Sequence, residues 1–243
     1  MGQKKLKRFN EIKSFSNVLE YPENMKGRWC DFFKNSNKIV LELACGKGEY
    51  TVGLAKLYPD QNFIGVDIKG NRMWAGAKYA LENNLKNASF LRTHIDKIEN
   101  YFEKGEVSSI WITFPDPQLR KSRAKKRLTH PYYLRNYLKI LTENGHIHLK
   151  TDSPDLYEFT KHVIDFFDLP LQQDLPDIYS DENVSEQLSI KTHYEKLDIA
   201  KSNKIFYLSF ALNDILLDND KVSAFHSLYK TITPEVSEDA DRK

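Results

Sequence analysis

Two hydrophobic rhythms alternate along this chain. Short, nearly continuous apolar runs occur at "KIVLEL" (Lys38–Leu43), "NFIGVDI" (Asn62–Ile68), "ASFLR" (Ala88–Arg92), "VSSIWITF" (Val107–Phe114), "GHIHLKT" (Gly145–Thr151) and "KIFYLSFAL" (Lys204–Leu212). Runs of this length and β-branched content predict buried strands. Between them, apolar residues recur every third or fourth position. This predicts helices from Gly48 to Tyr58, over Asn71–Asn83, near Lys97–Phe102, over Pro131–Leu141 and from Ser153 onward. Strands alternating with helices predict an α/β fold with a parallel sheet covered on both faces. Such sheets bind ligands at the carboxyl ends of their strands. Those exits carry Glu42 to Gly48, Asp67, Asp96, Asp116 and Asp152, so an acid stands at nearly every one.

Composition narrows this picture. The 243 residues, 40% hydrophobic and 12% aromatic, suffice for a large core in one domain or a domain with an appendage. A net charge of only +2 means that a polyanionic partner must be met by local clusters. Two basic clusters stand out, "KKLKR" (Lys4–Arg8) and "RKSRAKKR" (Arg120–Arg127), whereas the tail "EVSEDADRK" is acidic. Cys30 and Cys45 form neither a disulfide framework nor a metal-ligand spacing. We therefore expect no metal, and a reducing, cytoplasmic setting. No secretory leader follows the basic start, and no apolar run approaches the roughly 20 residues of a membrane span.

The first strand exit, "LELACGKGEYTVGLA", places Gly46 and Gly48 between a strand and a helix. Glycines admit a ligand close to the backbone, and the helix start offers free N–H groups. Asp67, about 25 residues after Glu42, stands where a carboxylate grips a ribose diol. A dinucleotide is disfavoured, because a third glycine is missing at Thr51 and Glu42 would repel a diphosphate. Glu42 suits a cationic ligand instead. The pattern Glu42-x-Ala44-x-Gly46-x-Gly48 resembles motif I of the Rossmann-like methyltransferases. By that resemblance the ligand is S-adenosylmethionine and Asp96 faces its adenine end; the alternative for Asp96 is an N-cap of the next helix.

At the fourth exit, Pro115 and Pro117 fix φ and remove N–H donors, and each pushes its predecessor toward extended backbone. Asp116 is thereby aimed. A carboxylate there could remove a proton, or could accept the paired N1–H and N2–H of guanine and leave N7 free. The adjacent Lys/Arg block would bring phosphates within reach of Asp116, and the shortage of interleaved aromatics favours a folded RNA over a single strand.

"FPDP", the basic block, "RLTHPYYL", "HLKTD" (His148–Asp152) and "SIKTHYEKLDIAKSNKIFYLSF" together resemble the bacterial tRNA (guanine-N7-)-methyltransferase family. The resemblance spans about Lys38 to Phe210. It implies a Rossmann-like methyltransferase domain over 37–215, mostly parallel with an antiparallel last strand. A basic arm and helical lead-in (1–36) precede it, and a helical, acidic tail (216–243) follows. It implies that Glu42, Gly46, Gly48, Asp67, Asp96 and Asp116 bind S-adenosylmethionine, with Asp116 also catalytic. Arg120, Asp152, Thr192 and Glu195 would bind the target nucleoside. Lys121, Arg123, Lys125, Lys126 and Arg127 would contact RNA phosphates. The partner would be tRNA, met by a monomer or homodimer that binds no membrane. Gln118 stands where the family has Trp, Arg120 where it has Lys, and Ala44 where it has Gly. The expected reaction is direct methyl transfer to guanosine N7. A small-molecule methyltransferase and a non-catalytic RNA-binding module on the same fold are the rival readings, with an NAD-dependent dehydrogenase further off.

Overall fold

The computed structural model describes residues 2–180, 184–193, 195–197 and 201–232. Among the described residues eight strands build one sheet: β1 (Val18–Glu20), β2 (Ile39–Leu43), β3 (Asn62–Asp67), β4 (Ala88–Arg92), β5 (Val107–Thr113), β6 (Leu141–Thr151), β7 (Leu171–Leu175) and β8 (Phe206–Ala211). Their spatial order is β1-β4-β3-β2-β5-β6-β8-β7. Pairings are parallel from β1 across to β6, whereas β8 runs antiparallel to both β6 and β7. The chain winds outward from β2 to β4, returns to β5, and continues the other way. The reversal lies between β2 and β5, where an open α/β sheet forms its ligand crevice.

Helices α1 (Gly2–Glu11), α2 (Trp29–Phe33), α3 (Glu49–Leu57), α4 (Gly70–Glu82), α5 (Pro131–Leu138), α6 (Pro154–Phe167), α7 (Glu186–Ser189) and α8 (Asn219–Ile232) complete the fold. Side chains on a strand alternate between faces, and the core divides accordingly. Ile39, Leu41 and Leu43 of β2 and Ile110 and Ile112 of β5 join one cluster with α2, α5, α6 and α8 residues. Val40 and Trp111 join the opposite cluster with α3, α4 and α7 residues. This parity sends Glu42, Thr113 and Lys150 toward α3 and α7, and it decides much of the site's chemistry.

The six predicted strands are present, with their antiparallel last member. Two more were missed. β1 is three residues long, too short for a period to register, and pairs with Phe90–Arg92 at the sheet edge. It draws the lead-in segment into the sheet. β7, "LQQDL", is an exposed edge strand whose polar residues hide any apolar run. β6 also starts at Leu141, four residues earlier than the apolar pattern, through an irregular register between Val107 and Ser109 of its partner. Helix α5 accordingly stops at Leu138. Among the described residues no helix is long and apolar enough to cross a membrane.

Candidate active site

The loop after β2 turns sharply. Ala44, Gly46 and Gly48 have φ of +57°, +55° and +72°. Gly48 is required for a second reason: an added Cβ would lie 2.3 Å from Phe90 of β4. Ala44 carries a Cβ into left-handed backbone, at a cost of roughly 1–2 kcal/mol. Carboxylates hold the loop in this shape. Asp67 Oδ2 accepts from Gly46 N at 2.9 Å, and Oδ1 accepts from Lys69 N at 2.8 Å. Cys45 N donates to Val66 O, so the loop is stitched to β3.

Glu42 lies deeper, only 3% exposed. Its Oε2 accepts from both the backbone N and the Oγ1 of Thr51 in the first turn of α3, and its Oε1 accepts from Thr113 Oγ1 at 2.6 Å. Glu42 therefore satisfies a helix-start N–H that has no partner within the helix. Burial outweighs these hydrogen bonds and pushes its carboxyl up to about 7. The Thr113 contact ties this side of the crevice to the next, since Thr113 is the last residue of β5 and Phe114-Pro115-Asp116-Pro117 follows at once.

Asp96 is half-buried, within a short 3-10 turn (Ile95–Asn100), and its carbonyl accepts from Asn136 Nδ2. The N-cap position of that turn belongs to His94. Asp116 is exposed, and its Oδ1 accepts from Gln118 N at 3.0 Å. The prolines do not act wholly as anticipated. Phe114, expected to be extended before Pro115, has φ +47°, and Gln118 after Pro117 has φ +48°. Two non-glycine residues in left-handed backbone bracket the aspartate, a strain that persists only where the surroundings over-determine it. Phe114 N donates to Lys150 O at 2.8 Å, which supplies one restraint.

The basic block folds as a 3-10 turn over Lys121–Lys126, in which residues three apart share a face. Ala124 and Arg127 face inward, whereas Arg123, Lys125 and Lys126 are exposed; the side chain of Lys121 lies outside the described residues, and Arg120 is half-buried. Arg127 must be corrected. It is 2% exposed, and its guanidinium donates to Pro117 O (3.0 Å), Gln118 O (3.1 Å) and Tyr229 Oη (2.6 Å). A group spent on the protein's own carbonyls is no phosphate contact.

Past β6, Asp152 is half-buried, and its carbonyl accepts from Ser202 Oγ. Thr192 is buried and its Oγ1 accepts from Glu195 N; Tyr194, between them, lies outside the described residues. Lys150, the third residue of "HLKTD", was not among the expected site residues. Lys150 is completely buried, and its Nζ donates to Leu188 O (2.7 Å), Ile190 O (3.0 Å) and Glu195 Oε2 (2.9 Å). Desolvation lowers its pKa, and the Glu195 carboxylate works against that shift. The other Glu195 oxygen accepts from Tyr179 Oη. The signal was available: residue 150 shares the parity of His148, which stacks on Trp111 at 4.2 Å on the α3 side of the sheet. The same segment is fastened to α3, where Tyr50 Oη donates to Gln187 O and Glu49 accepts from His193 N.

Comparison with known proteins decides the family. A family model described as "Putative methyltransferase" matches residues 36–208. A tRNA (guanine-N(7)-)-methyltransferase of Bacteroides fragilis is 48% identical over 221 residues, 87% of each chain. One from Christiangramia forsetii is 46% identical over 223 residues, covering 87% of this chain and all of its own. The chain belongs to the tRNA (guanine-N(7)-)-methyltransferase family. It is an S-adenosylmethionine-dependent methyltransferase with a Rossmann-like fold. At 13% identity the 16S rRNA methyltransferase KamB shares that fold, with a TM-score of 0.59 over 79% of this chain and 95% of its own.

The residues present fit the methyl donor of this family. A carboxylate has about four acceptor positions. Asp67 shows two hydrogen bonds and Glu42 three, which leaves capacity on both while the bonds already made fix their orientation. Acidic acceptors at the ends of β2 and β3 match a ligand that carries a ribose diol and positive charge.

Proposed function

We propose that this protein transfers the methyl group of S-adenosylmethionine to N7 of a guanosine in the variable loop of tRNA, by direct in-line displacement, in the cytoplasm. The observation that carries this reading is the Thr113–Glu42 hydrogen bond across the topological switch point. It places the exit that bears Asp116 and the basic turn beside the exit that bears the acidic cofactor loop. The reading is supported by family membership, and its residue roles follow from chemistry.

Glu42 fixes the loop and the start of α3, Asp67 accepts from a ribose diol, and Asp96 borders the adenine end. Gly46 and Gly48 let the backbone approach. The bound donor supplies an electrophilic methyl group on a cationic sulfur. Asp116 accepts N1–H and N2–H of the target guanine, which leaves the N7 lone pair free and requires no general base. Positive charge then grows on the base, and Asp116 and Asp152 favour it electrostatically. Thr192 and Glu195 line the wall of this pocket; Lys150 and Tyr179 already hold the Glu195 carboxylate, so its contribution is to fix that wall. Catalysis is mainly positioning away from water. The target base is first drawn from its stack, at a cost of a few kcal/mol, roughly, which selects accessible loop positions. Arg120, Arg123, Lys125 and Lys126, with Lys121, hold the phosphates around it.

The test is to incubate the protein with labelled S-adenosylmethionine and bulk tRNA, digest the product, and map the modified position. Variable-loop 7-methylguanosine is expected, and Asp116→Ala should abolish it without unfolding the protein. A different methylated nucleoside, label only in small molecules, or full activity of Asp116→Ala would overturn the assignment.

A further inference from the structure

Arg127 sits at the end of a basic block, yet it is among the most buried polar residues of the chain. Its guanidinium forks onto two consecutive carbonyls, Pro117 O and Gln118 O, the first two residues after Asp116. Gln118 is one of the two left-handed residues beside that aspartate, and its amide donates to Asp116 Oδ1. Two prolines within four residues deprive this loop of N–H donors, so its carbonyls depend on an outside donor. The planar fork of an arginine suits two neighbouring acceptors in a way that a lysine does not.

The other end of the group is anchored to the far end of the chain. Nη1 donates to Tyr229 Oη of α8, and the guanidinium lies 4.5 Å from the ring centroid of Phe159 in α6 and 5.6 Å from that of Tyr229. Tyr229 and Phe159 pack edge to face at 5.0 Å, and Phe225 closes the cluster. Helix α8 thus completes the socket that holds Arg127, and Arg127 holds the loop.

We propose that Arg127 is a positioning residue for Asp116, and that the C-terminal helix, through Tyr229, sets the conformation of the catalytic loop. This rests on the reading of Asp116 above. It predicts that Arg127 acts on turnover and not on tRNA capture. In Arg127→Gln, kcat at saturating tRNA and donor should fall by about 100-fold, the scale of a small misplacement of a catalytic group. The salt dependence of tRNA binding should stay that of the unmodified protein. Substitution of a true phosphate contact such as Lys125 should instead lower the log–log salt slope by about 0.7 to 0.9. Tyr229→Phe keeps the ring packing and removes only the hydroxyl; it should lower kcat by about 10-fold, with S-adenosylhomocysteine affinity unchanged by calorimetry. Arg127→Lys should not rescue Arg127→Gln, because the fork is lost.

A second readout needs no activity. Hydrogen exchange at the Gln118 amide should accelerate in Arg127→Gln and Tyr229→Phe. A reduced salt slope with intact kcat, a loss of thermal stability with neither kcat nor exchange affected, or unchanged exchange at Gln118 would each overturn the proposal. If the unmodified protein did not methylate tRNA at guanine N7, the functional reading would fail, and the exchange measurement would still decide whether Arg127 and α8 position this loop.

Discussion

The two halves of the rim hold their shape with opposite charges. On the β2–β3 side the supports are buried carboxylates, Glu42 and Asp67, and what they hold is backbone N–H. On the β5–β6 side the supports are buried cations, Arg127 and Lys150, and what they hold is backbone C=O. The difference follows from local chain chemistry. A strand that enters a helix exposes donors without partners. A proline-rich turn has carbonyls but few donors, and the short helix α7 ends in carbonyls that have no partner within it. Each half is satisfied by the charge its backbone lacks. Under the proposed function the charges that face ligand are then reversed: a cationic donor would lie beside the carboxylate-supported half, and a polyanion beside the half that displays Arg123, Lys125 and Lys126.

The largest effect should come from breaking the cationic half at its deepest point. Lys150→Met leaves the Glu195 carboxylate buried without its ammonium, and should cost about 3–5 kcal/mol in urea unfolding. Lys150→Met combined with Glu195→Gln should recover much of that loss. An additive double variant would show that the pair is not coupled.

The carboxylate half should reveal itself through pH. The Glu42 carboxyl titrates near 4.5 when unfolded and near 7 when folded. Between these values the folded state holds a proton that the unfolded state has released, so stability declines as pH rises through this window. The decline should total on the order of 3 kcal/mol, measured by urea unfolding of the ligand-free protein at pH 5 and pH 8. Glu42→Gln should flatten this pH dependence. An equally steep decline in that variant would assign the titration to another group.

A smaller effect concerns binding alone. Replacing Arg123, Lys125 and Lys126 together by Gln should reduce the log–log salt slope of tRNA affinity by about 2, with donor affinity unchanged. No change in slope would mean that the polyanion passes elsewhere. Smallest of all, Ala44→Gly should relieve the left-handed strain at φ +57° and lose a comparable backbone entropy. The net change in thermal unfolding should stay within about 1 kcal/mol. A large destabilisation would show that the Ala44 methyl group is itself a packing element.

Much of the site could be read in order along the chain. The acids at strand exits, the Gly46 and Gly48 turn and the two prolines are local features, and short-range sterics and period-two alternation act on neighbours. The phase of the basic block could not be read this way. Nothing local says which face of the block turns inward; in the 3-10 turn it is the face of Ala124, and Arg127, three residues on, goes inside with it. Lys150, in a strand that looked merely apolar, carries three hydrogen bonds from a fully buried side chain. β1 and β7 were invisible for a related reason: an edge strand takes its identity from the neighbour it pairs with.

By itself, then, the sequence determined the six strands with a strong apolar run, the order in which they alternate with helices, and which acids stand at their exits. It also determined the family, because those end residues recur as motifs. Only the tertiary structure decided which charges are tools and which are supports. Arg127 meets Tyr229 at a separation of 102 residues, and Lys150 meets Glu195 at 45. Whether a cation faces solvent or a carbonyl depends on what the rest of the chain folds against it, and no local pattern carries that information.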